Sequence, residues 1–149
     1  MKLDEKRIRV HLSKVKVLFV NACVRKGSRT KELADFVLSK QKVPYEEVCL
    51  NALNFPVVDE AFLNRRDRLI DQRGLCRAKR LTYITTVGGD FFPEEYGAGY
   101  VKALAQNYYG IPGFRLIKAA GLDIIGADSN AIMDHVRQDI TKSFLESEQ

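Results

Sequence analysis

The stretch Val15 to Val37, VKVLFVNACVRKGSRTKELADFV, limits the folds open to this chain more than any other. Its first part, Val17 to Val20, is a short apolar run with the length and β-branched content of a strand buried on both faces in a parallel sheet. The run stops at Asn21. A small basic loop follows, and beyond Ser28, Arg29 and Thr30 the residues Leu33, Phe36, Val37 and Lys40 recur at spacings of three and four, which predicts a helix. Ser28 or Thr30 would cap that helix, and Glu32 lies early enough in it to favour the positive end of its dipole. A strand, a loop and a helix N-terminus together present backbone N–H groups to an anion. The hydroxyls of Ser28 and Thr30 add donors, and Arg25, Lys26 and Arg29 add positive charge, so the stretch reads as a phosphate cradle. Ordinary caps beside a solvated basic loop would use the same residue types. The position after the first strand of an α/β unit, where the carboxyl ends of strands hold ligands, favours the cradle.

Along the rest of the chain the two periods keep alternating. Tyr45 to Leu50 predicts a short second strand, and Phe55 to Val58 is an apolar loop. Asp59 can cap a helix through Ile70 that carries Ala61, Phe62, Leu69 and Ile70 as its apolar contacts. Arg80 to Thr86, RLTYITT, is the next strand and runs into Val87, Gly88, Gly89 and Asp90, where glycines let a ligand approach the backbone. Tyr96 to Tyr109 predicts a helix with Tyr100, Val101, Leu104, Ala105 and Tyr108 on its apolar side, aromatics that read as core. Gly110 ends it, Phe114 to Ala119 is a last strand, and Ser129 caps a closing helix striped with Ile132, Val136, Ile140 and Phe144. Four strands alternating with four helices predict an α/β fold with a parallel sheet covered on both faces and right-handed crossovers. The loops Cys23 to Thr30 and Thr86 to Asp90, both at carboxyl ends of strands, would outline one crevice.

At 149 residues the chain is expected to form a single domain, 1–149, with 1–14 as a charged N-terminal extension. That length buries ~68% of the unfolded surface, so a true core is possible. No apolar run approaches the ~20 residues of a spanning helix. Met1 to Lys14 lacks the apolar core of a secretory signal, which makes the cytoplasm the default location. Cys23, Cys49 and Cys76 are an odd number without close pairing, and His11 and His135 are isolated, so neither a disulfide framework nor a metal site is predicted. The net charge of +5 and the crowding of Arg65, Arg66, Arg68, Arg73, Arg77, Lys79 and Arg80 raise the question of nucleic acid. Asp67 and Asp71 interrupt that run, and no aromatic residue is interleaved in it for base stacking, so a solvated helix face is the better reading. The positive excess would equally attract anionic cofactors or substrates.

These residues carry a resemblance. NACVRKGSRTKELA after the first strand, and LTYITTVGGDFFPEEYGAGYVKALAQNYYGIPGFRLIKAAGLDIIG in the second half, are similar to the flavodoxin-like NAD(P)H dehydrogenase (quinone) family, which includes FMN-dependent NADH-azoreductases. The resemblance covers nearly the whole chain from Lys16 onward. It implies a flavodoxin-like three-layer sandwich and an FMN-dependent oxidoreductase, commonly a homodimer, that takes electrons from NAD(P)H and reduces quinone or azo acceptors. It also implies that the loop holding Cys23, Arg25, Ser28 and Thr30 binds the FMN phosphate, with Cys23 where many members have serine. Thr86, Gly88 and Gly89 would border the flavin ring. Chemistry in such enzymes belongs to the flavin, and no catalytic side chain is required.

One departure from the family is large. Between the second helix and the ITT strand, members carry a further strand, a loop lining the flavin ring and a helix, about the ~30 residues of a βαβ element. Here Asp71 to Leu75 run almost directly into Cys76 and the next strand. In the order 2-1-3-4-5 the absent strand is the central one. Its neighbours are then expected to pair directly, giving a shortened sheet of order 2-1-4-5 and leaving apolar surface that predicts a homo-oligomer or poor solubility. Two other functions remain open. Cys23, five residues, Arg29 and Thr30 fit C-x5-R-[ST], which resembles low-molecular-weight tyrosine phosphatases, although Asp123, Asp128, Asp134 and Asp139 all lack the Pro that should follow the general acid. The other is a non-catalytic α/β remnant that pairs with another subunit.

Overall fold

A computed structural model describes residues 17–55, 59–64 and 76–146. They fall into two compact units, one of residues up to Leu53 together with those from Ile140, the other Asn54–Asp139. Expectations for Met1 to Lys14, for Pro56 to Val58, and for the helix and arginine cluster between Arg65 and Leu75 lie outside the described residues.

In the first unit, β1 (Val17–Asn21) and β2 (Tyr45–Cys49) pair in parallel, with Val17 opposite Tyr45 and Asn21 opposite Cys49. The crossover between them is α1 (Arg29–Gln41). Its apolar residues Leu33, Ala34 and Val37 are all buried, and Leu33 is fully enclosed. Phe36 is half-buried, with the Lys40 ammonium 4.9 Å from its ring centre. The helix stops at Lys42, which takes a left-handed conformation (φ 52°). Tyr45 to Cys49 is one residue shorter than expected, because Leu50 opens a 3-10 turn over Leu50–Ala52.

Burial of β1 on both faces is corrected by the structure. Val17 and Phe19 are half-buried and Asn21 is buried, whereas Leu18 and Val20 on the opposite face are each about half exposed (51% and 52%). A strand is enclosed on both sides only where layers cover both faces of its sheet.

In the second unit, β3 (Arg80–Thr86) pairs in parallel with β4 (Gly113–Ala119), from Arg80 opposite Gly113 to Thr86 opposite Ala119. The crossover passes through a 3-10 turn at Glu94–Tyr96 and α2 (Ala98–Ala103), which continues as a single π-turn over Leu104–Tyr108. The expected straight helix with a tyrosine core is corrected here. Ala98 and Ala105 take the buried positions, while Tyr96, Tyr100 and Tyr108 are mostly exposed. The π-turn inserts an extra residue into the helical period and so bears on Tyr108 alone of the three; Tyr96 and Tyr100 precede it. Among the described residues, Ile111, Ile117, Ala119, Leu122 and Met133 are the other buried apolar side chains of this unit.

The last helix, α3 (Ser129–Glu146), keeps the predicted side, with Ile140 buried and Ile132, Val136 and Phe144 half-buried. Its cap is Asp128 instead of Ser129: Asp128 Oδ1 accepts the N–H groups of Asn130 and Ala131 at 3.0 and 3.1 Å. Ahead of β3, residues 60–64 are helical and Asp59 caps them as expected, its Oδ1 accepting the Phe62 N–H at 2.7 Å.

Among the described residues the ladders number two, β1–β2 and β3–β4, each of two strands. The order 2-1-4-5 also expected Val17–Val20 to pair with Leu81–Thr85, and these two strands belong to different units. Each observed pair is joined by a βαβ crossover, the connection a parallel ladder requires. Between Cys49 and Arg80 the described residues include the 3-10 turn Leu50–Ala52 and a helical start at 60–64, and no strand.

Candidate functional site

Asn21, the last residue of β1, is buried and both ends of its amide are used. Its Oδ1 accepts the Cys23 N–H at 2.8 Å, which turns the chain out of the strand. Its Nδ2 donates to Glu47 Oε1 on β2, also at 2.8 Å. The loop then passes Gly27, whose φ of +69° is left-handed backbone that any side chain would strain, and reaches Ser28. Ser28 is the cap: its Oγ accepts the Lys31 N–H at 3.4 Å, and Glu32 N–H bonds to its carbonyl at 3.0 Å. Strand end, loop and helix start thus surround an open hollow of about 440 Å³ lined by Asn21, Cys23, Arg25, Gly27, Ser28, Lys31, Glu32 and Asp35.

The charges around this hollow are mixed. Arg25 and Lys31 face two carboxylates, Glu32 and Asp35. Lys31 Nζ bonds Asp35 Oδ1 at 2.5 Å and lies 3.8 Å from Glu47 Oε1. The Asp35 hydrogen bond, with smaller attraction from Asp35 and Glu47 charge, raises the Lys31 pKa above its ordinary value of 10.5. With Lys31 engaged in this way, attraction for an anion rests on Arg25, the Ser28 hydroxyl proton and the helix N-terminus.

Of the sequence-predicted residues, the structure brings Cys23, Arg25 and Ser28 to this hollow. Thr30 sits in the first turn of α1 and is not among the lining residues, and neither is Arg29. Of the C-x5-R-[ST] set, then, only Cys23 faces the hollow, and the Arg that would clamp a phosphoryl group does not.

Thr86, Gly88 and Gly89 belong to the other unit. There the strand-end loop is bonded to the chain leaving β4. Val87 N–H donates to Ala119 O at 2.8 Å, Leu122 N–H to Val87 O at 3.2 Å, Asp123 N–H to Gly88 O at 2.8 Å, and Gly121 N–H to Gly89 O at 2.7 Å. A Cβ on Gly88 would fall 2.5 Å from Asp123 Oδ2, so the space left by this glycine is filled by Asp123. Gly89 has open space, its nearest neighbour being the Phe91 nitrogen at 4.0 Å.

Sequence reasoning passed over Asn21, Lys31, Asp35, Glu47 and Asp123. A signal existed for the first, since a polar side chain ending a buried apolar strand needs partners. Lys31 and Asp35 also stand at the i,i+4 spacing of a helix ion pair.

The two parallel βαβ pairs, with a hollow at the carboxyl end of β1, define a flavodoxin-like α/β fold. Solved structures with this fold include a FMN-dependent NADH-azoreductase from Bacillus anthracis str. Ames Ancestor in complex with FMN, 12% identical over 89% of this chain and 99% of that one, with a TM-score of 0.63. A NAD(P)H:quinone oxidoreductase from Methanothermobacter marburgensis is 13% identical over 89% of this chain and 96% of that one, with a TM-score of 0.53. At these identities the likeness is one of fold, and it bears out the flavodoxin-like reductase resemblance at that level. No family model and no curated protein matches the chain.

Proposed function

We propose that this chain is an FMN-dependent oxidoreductase that holds the cofactor phosphate in the hollow at the end of β1. The observation that carries the reading is the assembly of Arg25, Ser28 and the capped N-terminus of α1 around one open hollow. The residues fit a phosphate ester. The Ser28 hydroxyl accepts from Lys31 and keeps its own proton to donate, Arg25 supplies a guanidinium, and Gly27 leaves the loop backbone open, with no atom within 4 Å of a would-be Cβ. Bound FMN would supply two-electron hydride chemistry, with NAD(P)H as donor and a quinone or azo compound as acceptor. The likeness of fold to a FMN-dependent NADH-azoreductase and a NAD(P)H:quinone oxidoreductase supports this reaction class. Glu32 and Asp35 on the same wall disfavour a second phosphate, which suits a mononucleotide.

The reading includes a cytoplasmic homodimer. The free cysteines Cys23, Cys49 and Cys76 suit a reducing compartment, and the exposed Phe91, Tyr96 and Tyr100 offer apolar surface for a subunit contact. No helix among the described residues is long and apolar enough to cross a membrane.

Comparing FMN with riboflavin, which lacks the phosphate, tests the cradle. Flavin fluorescence titrations should show tighter binding of FMN, and Arg25→Gln should erase about tenfold of that preference, the range of a charge-assisted hydrogen bond. Equal affinity for the two flavins refutes the phosphate reading.

A further inference from the structure

Glu47 does not line the hollow, yet it joins the two ends of the loop that does. At the loop's beginning, Cys23 N–H is held by Asn21 Oδ1, and Asn21 in turn is held by Glu47 through Nδ2. At its far end, Ser28 Oγ holds the backbone N–H of Lys31, whose ammonium lies 3.8 Å from the same Glu47 oxygen and 5.4 Å from the centre of the Phe19 ring. The side chains of that ion pair are 30% exposed for Lys31 and 28% for Glu47, although Glu47 as a whole residue stands among the exposed positions of β2. One carboxylate on the neighbouring strand therefore reaches loop entry and loop exit together. Register keeps it there, because Glu47 stands opposite Phe19, two residues before the Asn21–Cys49 pair, and successive alternate residues share one sheet face.

We propose that Glu47, gripped by Asn21, is the positioning residue that sets the aperture of the Cys23–Ser28 loop around a phosphate. The inference rests on the phosphate reading of the hollow and adds the residue on which that geometry depends. Electrostatics alone predicts the opposite effect for this side chain. A carboxylate near an anion site repels the anion, so removing it strengthens phosphate binding unless it is holding donors in place. Pre-organisation predicts that removing it weakens binding, since the loop must then be ordered by the ligand itself. The two accounts differ in sign.

The experiment uses the full chain and two variants. In Glu47→Ala, FMN affinity should fall about tenfold while riboflavin affinity stays as in wild type. Glu47→Gln keeps an acceptor for Asn21 Nδ2 and should recover most of the loss. Without ligand, hydrogen exchange at the Cys23 and Lys31 amides should quicken in Glu47→Ala and return toward wild type in Glu47→Gln, with Ile84 in β3 unaffected. Unchanged or tighter FMN binding by Glu47→Ala overturns the proposal. A wild type that binds both flavins alike removes the phosphate reading. The exchange data then decide whether Glu47 holds the loop: loss of protection at both amides supports it, and unchanged exchange overturns it.

Discussion

Adding one methyl group at Gly88 should destabilise the second unit without touching the hollow at β1. The new Cβ would lie 2.5 Å from Asp123 Oδ2 and 3.2 Å from both Cβ and Cγ of Asp123, where ordinary contact begins at 3.4 Å. The carboxylate oxygen must withdraw by about 0.9 Å, which a side-chain rotation can supply. The Asp123 Cβ has no such freedom. It moves only with its own backbone, whose N–H is bonded to the Gly88 carbonyl at 2.8 Å, between the flanking bonds from Leu122 and Gly121. Overpacking against a partner fixed in this way costs about 1–3 kcal/mol. At roughly 2–4 °C per kcal/mol for a chain of this size, Gly88→Ala should lower Tm by about 2–12 °C. A thermal melt monitored by circular dichroism measures it, and a double-mutant cycle with Asp123→Gly assigns it, because the methyl costs little once the Asp123 side chain is gone. An unchanged Tm in Gly88→Ala, or the same loss in both backgrounds, refutes the claim that Gly88 is needed for Asp123.

Two further outcomes are expected. Asp128→Ala should cost about 1 kcal/mol, since Asp128 Oδ1 accepts two N–H groups at the start of α3, whereas Ser129→Ala should stay within about 0.5 kcal/mol; urea melts of the two variants rank them. The raised pKa of Lys31 means that the folded state holds the ammonium proton more tightly than the unfolded chain, so this stabilisation is complete below 10.5 and is lost as the pH rises through the folded value. Urea midpoints at about pH 9 and about pH 11 should therefore fall further in wild type than in Lys31→Met, and equal falls would show that the Asp35 bond contributes nothing in solution.

Local interactions were legible in the sequence because they depend on residues a few positions apart. Ser28 could be named as a cap, Leu33 and Val37 as a buried stripe, and Arg80 to Thr86 as a strand, since hydroxyl geometry, 3.6-residue spacing and β-branching act within one turn or one strand. The same local logic picked out Arg25, Ser28 and Thr30, and the family resemblance added Cys23; the structure brings Cys23, Arg25 and Ser28 to the hollow but not Thr30. It failed where a choice between equal local candidates falls to neighbours in space. Asp128 and Ser129 are both capping residues, and the geometry of the turn into α3 selects the aspartate. Tyr100 and Tyr108 have the spacing of a core stripe, yet both are mostly exposed, while Val101 and Leu104 of the same stripe are half-buried and Ala105 is buried.

The tertiary structure alone decided pairing and partnership. The pattern of strands and helices predicted parallel strands joined by crossovers, and β1 with β2 and β3 with β4 meet that expectation. Which strand lies beside which is set by hydrogen bonds between residues far apart in the chain, such as those that put Val17 opposite Tyr45 and Arg80 opposite Gly113. Gly88 shows the same division. Its sequence context promised room for a ligand, and only the fold placed Asp123, thirty-five residues later, in that room. Glu47 is in sequence one of the adjacent acids Glu46 and Glu47, and only register sets it beside Asn21 and Lys31. Periodicity and capping are energies within a segment and can be read from the segment; a close approach between segments depends on the whole chain and becomes visible only in the folded structure.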